Sequence, residues 1–178
     1  MDKKPLARKK AKKLIRMGNN AYFNGNYEKA LSHFDKALKL YPEDAGAWNN
    51  RGLVLKMLGR LEEAVDSYNR ALEIDPSHGD AWYNKGNLLS TMERFKEALY
   101  CYQKAVDINP DDTEARNAMR YCEEKLQAGE GEGSPGEEGL DVMAEVAEEV
   151  VADEAVEGLK ERGTEETEQK AKEEVGDE

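Results

Sequence analysis

Apolar positions along this chain recur with a helical step inside short segments and with a longer period between them. Residues 45–78 show both clearly. Trp48, Gly52, Leu55 and Leu58 fall three and four residues apart, on one face of a helix. Ala64, Tyr68, Ala71 and Leu72 do the same on a second helix. Between them, Gly59 in "MLGR" suits the left-handed conformation that ends a helix. Pro76 then closes the segment, because proline has no N–H to donate to a continuing helix. The pattern predicts a hairpin of two helices.

The phrase "AWNNRG" around Trp48 returns 34 residues later as "AWYNKG" around Trp82. Aligned at that offset, residues 11–44, 45–78 and 79–112 form three copies. Glycine recurs at Gly18, Gly52 and Gly86, and alanine at Ala30, Ala64 and Ala98. An aromatic follows at Phe34, Tyr68 and Tyr102, then Ala37, Ala71 and Ala105, then Pro42, Pro76 and Pro110. The small residues allow two helices to approach closely, and the tryptophans and tyrosines fill core slots between neighbours. One such hairpin cannot bury its apolar face, but stacked copies can.

These residues resemble the tetratricopeptide repeat pattern, a tryptophan and glycine start followed by alanine, aromatic, alanine and proline at fixed offsets. The resemblance covers residues 11–112, and residues 113–127 look like the capping helix of such arrays. It implies an all-α fold, a right-handed superhelical α-solenoid. Leu14 stands where the other copies have tryptophan, and Glu93 stands where the others have the turn glycine. Arg51 and Lys85 replace the usual leucine before the glycine, with their alkyl stems expected to lie on the core.

The resemblance further implies that the first helices of successive copies line a concave groove. The candidate groove residues are Lys12, Arg16, Asn19, Asn49, Asn50, Leu53, Lys56, Tyr83, Asn84, Asn87 and, on the cap, Asn117. Ile15, Tyr22, Phe23, Met57 and Asp80 fall on the same face. Asparagine carries both donors and an acceptor, so a row of amides suits the N–H and C=O groups of an extended peptide. The same asparagines also serve helix packing in such repeats, and sequence leaves both roles open. Chaperone-docking relatives hold a terminal carboxylate with two asparagines and three cations. Asn19 and Asn50 match those asparagines, but Ile15, Asp80 and Asn84 occupy the cationic places. An aspartate there repels a carboxylate, which argues against heat-shock chaperone tails as ligands.

Charge divides the chain. Residues 1–128 hold 22 Lys+Arg against 19 Asp+Glu, a net of +3, and residues 129–178 hold 4 against 19, a net of -15. Residues 1–10 form a basic extension, and seven Lys/Arg lie within residues 3–13. Three readings of that run stand: a solvated continuation of the first helix, a phosphate contact with nucleic acid or an anionic membrane, and a contact with the acidic tail. Residues 128–139 have linker composition, and residues 140–178 form the acidic tail. Within the tail, Leu140, Met143, Val146, Ala147, Val150 and Val151 predict an amphipathic helix over about 140–160. The rest of the tail is expected to be disordered. Solubilising, partner-binding and self-inhibitory roles all fit it.

No apolar run approaches the roughly 20 residues of a membrane span, and the first 18 residues lack the apolar stretch and cleavage site of a secretory leader. Cys101 and Cys122 lack metal-ligand spacing and suit a reducing cytoplasm. His33 and His78 occupy unrelated repeat positions. No phosphate loop, dinucleotide fingerprint or zinc-protease motif is present. The sequence therefore points away from an enzyme, with no catalytic residue, cofactor or metal. It points to a protein-interaction adaptor, scaffold or co-chaperone-like module taking a peptide segment of another protein. Two alternatives remain: charge-driven association through the basic arm, and self-assembly through the exposed stacking surface of the first copy.

Overall fold

The computed structural model describes residues 4–129, and the linker beyond them and the expected helix at 140–160 lie outside the described residues. Among the described residues seven α-helices follow one another: α1 Lys4–Phe23, α2 Tyr27–Leu40, α3 Ala45–Met57, α4 Leu61–Ile74, α5 Gly79–Thr91, α6 Phe95–Ile108 and α7 Thr113–Gln127. No strand occurs among the described residues. The fold is an α-solenoid of three antiparallel hairpins followed by α7.

Each hairpin turns the same way. Gly25 (φ 72°) and Gly59 (φ 74°) end α1 and α3 in the left-handed region, and Glu93 (φ 58°) does so after α5. At each turn that residue's N–H bonds the carbonyl three residues back, and the next N–H reaches five back: Gly59 to Lys56 at 3.0 Å and Arg60 to Leu55 at 2.9 Å. This pairing satisfies the carbonyls that a helix end leaves open. Asp44 and Asp112 start α3 and α7 by accepting the N–H of Ala47 and Ala115, each at 2.9 Å.

Three contacts close the hairpins. A Cβ placed on Gly18, Gly52 or Gly86 would lie 2.9, 2.7 and 2.7 Å from the ring of Phe34, Tyr68 and Tyr102 respectively. The aromatic of each second helix thus rests on bare backbone of the first. Around these contacts the main core gathers Ala30, Leu31, Val54, Leu55, Ala64 and Leu88. A further cluster of Leu89, Phe95, Ala98 and Cys101 is sealed by Cys122 of α7.

The tryptophans correct the expectation from sequence. They occupy equivalent places, yet both are only half-buried. Each indole N–H needs an acceptor, and each finds a loop carbonyl: Trp48 donates to Pro42 and Trp82 to Pro76, both at 2.8 Å. That bond ties the ring to the turn between repeats, beside Ala71, Leu72 and Ala81.

The residues before the helix glycines also differ from a simple packing role. Lys85 is buried, with its ammonium 5.6 Å from the centre of the Trp82 ring. Arg51 does more than lay its stem on the core. Its Nε donates to Asp35 of the preceding hairpin at 2.8 Å, and its Nη1 donates to the buried Ser67 hydroxyl at 2.6 Å. Arg51 links two repeats through hydrogen bonds.

Helix neighbours give the array its curvature. The first helices touch in series, α1 with α3, α3 with α5 and α5 with α7. The backbones of the second helices α2, α4 and α6 stay farther apart, with no Cα pair within 8 Å. Closely spaced first helices and splayed second helices put α1, α3 and α5 on the inner side.

Candidate functional site

The inner face carries a relay of four amides. Asn84 of α5 donates through Nδ2 to Oδ1 of Asn49 at 3.0 Å. Asn49 donates to the neighbouring Asn50 at 3.3 Å, and Asn50 donates to Asn19 of α1 at 3.1 Å. The chain of bonds crosses three helices in one direction. Its two ends keep unused capacity: among the described residues the Asn19 NH2 group makes no bond, nor does the Asn84 side-chain carbonyl. Aligned amides polarise one another, which strengthens the terminal donor and acceptor.

The relay mixes packing and exposure. Asn49 is buried, only 6% exposed, so its amide is spent on Asn50 and Asn84. Asn19, Asn50 and Asn84 are half-buried. Asn87 is committed elsewhere, since its Oδ1 accepts the Tyr102 hydroxyl at 2.7 Å. Asn117 lies exposed on α7, where Arg120 donates to it at 3.4 Å. Tyr83 donates to Glu114 of α7 at 3.4 Å. Leu53 and Lys56 are half-buried on α3, and Lys12 and Arg16 are exposed on α1.

Beside the donor end of the relay is an apolar cleft of about 150 Å³, lined by Asn19, Tyr22, Phe23, Phe34, Asn50 and Leu53. Phe23 is 83% exposed and meets Tyr22 edge-on, with ring centres 5.7 Å apart. An aromatic this exposed, beside a cleft of its own making, offers a contact area for an apolar side chain. Candidate residues Asn19, Asn50 and Leu53 come together here. Tyr22, Phe23 and Phe34 join them; the alternation of Asn19, Tyr22 and Phe23 on one helical turn is the signal that points to this cleft.

A second cleft, about 610 Å³, lies at the other end of α1 between Pro5, Arg8, Lys9, Lys12, Tyr41 and Glu43. Arg8 stacks over the Tyr41 ring at 5.5 Å. At the far end of the array the face turns acidic, with Asp80 and Glu114 exposed. No group of three His, Cys, Asp or Glu side chains among the described residues is placed to hold a metal. No helix among the described residues is long and apolar enough to cross a membrane. Burial pushes the Cys101 thiol up to about 11, well away from a reactive thiolate.

A curved array of helix hairpins with a first-helix inner face defines a helical-repeat solenoid. Its sequence matches the tetratricopeptide repeat over residues 15–79 and again over residues 79–112, together more than half of the chain. The chain belongs to the tetratricopeptide repeat family, whose arrays are protein-interaction modules.

Solved structures share the fold. The first such domain of the human RPAP3 protein superposes with a TM-score of 0.65 at 23% identity, over 67% of this chain and 94% of that one. The Arabidopsis OM64 domain gives 0.63 at 23% identity, over 65% and 96%. The first repeat domain of Spaghetti (RPAP3), solved with the HSP90 peptide SRMEEVD, gives 0.66 at 23% identity, over 67% and 95%. An uncharacterised protein of Methanocaldococcus jannaschii is 45% identical over 49 residues. The match spans 28% of this chain and about half (52%) of that protein.

Proposed function

We propose that this protein is a non-enzymatic, cytoplasmic adaptor whose repeats, at 11–44, 45–78 and 79–112, capture an extended peptide segment of another protein on the inner face. The observation that carries the reading is the amide relay. Its open donor at Asn19 and open acceptor at Asn84 match the carbonyl and N–H of a peptide backbone, and the cleft beside Asn19 takes a side chain. Each backbone bond contributes about 0.5–1.5 kcal/mol. Two or three of them with one buried apolar side chain support binding in the micromolar range, about -8 kcal/mol.

The relative solved with SRMEEVD supports peptide capture as a mode available to this fold. The same terminal-carboxylate chemistry is not carried over, because Ile15, Asp80 and Asn84 supply no cation where a clamp needs one.

The test is a peptide-display selection against the full chain, followed by affinity measurements on the recovered peptides. Leu53→Asp should weaken them by roughly tenfold or more, as a charge placed against the ligand's apolar side chain costs over 1.4 kcal/mol. Lys36→Glu on α2 should leave them unchanged. Equal losses from both substitutions, or from neither, would contradict inner-face binding.

A further inference from the structure

We infer that residues 4–10, the stretch by which α1 outruns the other first helices, extend the inner face into a cationic subsite, so that the preferred ligand is a peptide carrying a short acidic run several residues away from a bulky apolar side chain. The inference rests on the peptide-capture reading above and names the chemistry of its ligand.

Length is the first observation. α1 has 20 residues, whereas α3 and α5 have 13 each. The added turns are not a uniformly charged rod. At 100° per residue, Arg8, Lys12 and Arg16 fall on one stripe, and that stripe runs on into Asn19 and Phe23. The cations therefore share a face with the donor end of the relay and with the apolar cleft. Lys10 lies on the opposite face of the helix and Lys13 well round from the stripe, both away from Asn19.

Pairing is the second. Arg51, Arg60, Arg70, Arg94 and Arg120 each hold a carboxylate of the fold. Arg8, Lys9, Lys12 and Arg16 have no ion-pair partner among the described residues, and all four are exposed. Arg8 is nevertheless positioned, stacked on Tyr41 at the wall of the larger cleft. One acidic side chain, Glu43, lines that cleft against three cations. A pre-positioned guanidinium with neighbouring ammonium groups favours carboxylates.

Spacing is the third. From Arg8 to Asn19 the helix rises about 16 Å, at 1.5 Å per residue. An extended peptide covers that in about five residues at 3.3 Å each. The ligand is thus bipartite: an acidic cluster on Arg8, Lys9 and Lys12, an apolar side chain in the cleft of Phe23 and Leu53, and about five residues between their centres. The end of the peptide chain plays no part, since the contacts are to side chains and backbone.

The test uses the full chain and synthetic fluorescent peptides with both ends blocked, read by anisotropy at moderate salt. The bipartite peptide has four glutamates, a Gly-Ser spacer and a Leu-Phe pair, made in both orders. One control replaces glutamate by glutamine, and another replaces Leu-Phe by Ser-Ser. The bipartite peptide in one order should bind roughly tenfold or more tightly than either control. Arg8→Glu/Lys12→Glu should remove the advantage of the glutamates and leave the glutamine peptide unaffected. Phe23→Ser should remove the advantage of Leu-Phe. Lys36→Glu/Lys39→Glu on α2, with the same change in net charge, should do neither. All these positions are exposed, and far-UV circular dichroism checks that each variant stays folded.

Four results would overturn the inference. A glutamine peptide that binds as tightly as the bipartite one while still depending on Leu53 leaves inner-face capture standing without the cationic subsite. A loss on the α2 variant equal to that on the α1 variant reduces the effect to net charge. Stronger binding of oligothymidylate than of any peptide, abolished by Arg8→Glu/Lys12→Glu, makes nucleic acid the ligand of α1. Peptide binding that depends on neither Leu53 nor Arg8 sinks the capture reading as well.

Discussion

The ring of Tyr68 rests directly on the backbone of Gly52, so closely that a Cβ there would lie 2.7 Å from Cε1 of the ring. Tyr68 is fully buried and cannot swing away. Gly52→Ala should therefore destabilise the protein by about 1–3 kcal/mol through overpacking, despite the better helix propensity of alanine. Gly46 is the internal control, because its Cβ would meet only Asp44 Oδ1, at 3.5 Å. Gly46→Ala should be neutral or stabilising by up to about 1 kcal/mol. Urea unfolding of both variants decides the matter, and equal effects would contradict the packing account.

Glu93 sits in a turn that two glycines perform elsewhere. Its φ of 58° matches Gly25 and Gly59, and its N–H bonds Ser90 at 3.1 Å while Arg94 reaches back to Leu89 at 2.9 Å. An L-residue pays about 1–2 kcal/mol for that conformation, partly offset by the extra chain entropy that glycine loses on folding. Glu93→Gly is expected to stabilise by about 0.5–1 kcal/mol in thermal or chemical denaturation. A destabilised variant would show that the Glu93 side chain has a role beyond the turn.

Tyr68 and Tyr102 occupy the same repeat position with different hydroxyl environments. The Tyr102 hydroxyl donates to Asn87 at 2.7 Å, whereas the buried Tyr68 hydroxyl has no hydrogen-bond partner among the described residues. The difference traces to one residue: Leu53 stands where the next repeat has Asn87. The first repeat already uses Phe34 at this position. Tyr68→Phe should leave stability unchanged or slightly raised, while Tyr102→Phe should cost about 0.5–1.5 kcal/mol. The opposite ranking would mean that Tyr68 has a bond from water.

Burial raises the Cys101 thiol from 9.0 to about 11, and it also raises Cys122, Tyr68 and Tyr102. The folded state keeps the proton where the unfolded thiol has lost it. Stability from this source is complete below pH 9 and is lost as pH rises from 9 toward 11. For Cys101 alone the loss is on the order of 2 kcal/mol across that window. Denaturant midpoints measured from pH 8 to 11 should fall accordingly, and Cys101→Ala should flatten the fall. A thiol-specific disulfide reagent at pH 8 should modify neither cysteine until the protein unfolds, and rapid labelling of the native state would contradict the burial of both.

The hairpins were readable in the sequence because Gly18, Gly52 and Gly86 and their aromatic partners impose one geometry three times over. Side-chain polarity within that frame was harder to read. The tryptophans looked like core residues by size, but an indole N–H needs an acceptor, and the loop carbonyls of Pro42 and Pro76 hold each ring half in solvent. The asparagine row was visible as a row. That Asn49 sinks into the structure while Asn19 and Asn84 stay at the ends depends on rotamers that periodicity does not encode. The basic run at residues 3–13 is one-dimensional in sequence, and only a continuous α1 sorts its cations into a stripe that meets Phe23.

Inner-face capture is tested most directly by installing a photoreactive benzoylphenylalanine at position 53, or alternatively at position 36 on α2, and irradiating the full chain with a display-selected peptide. The account expects a covalent adduct from position 53, mapped by mass spectrometry to the apolar residue of the peptide, and none from position 36. An adduct from position 36 with none from position 53 would place the ligand on the outer face and contradict the proposed function.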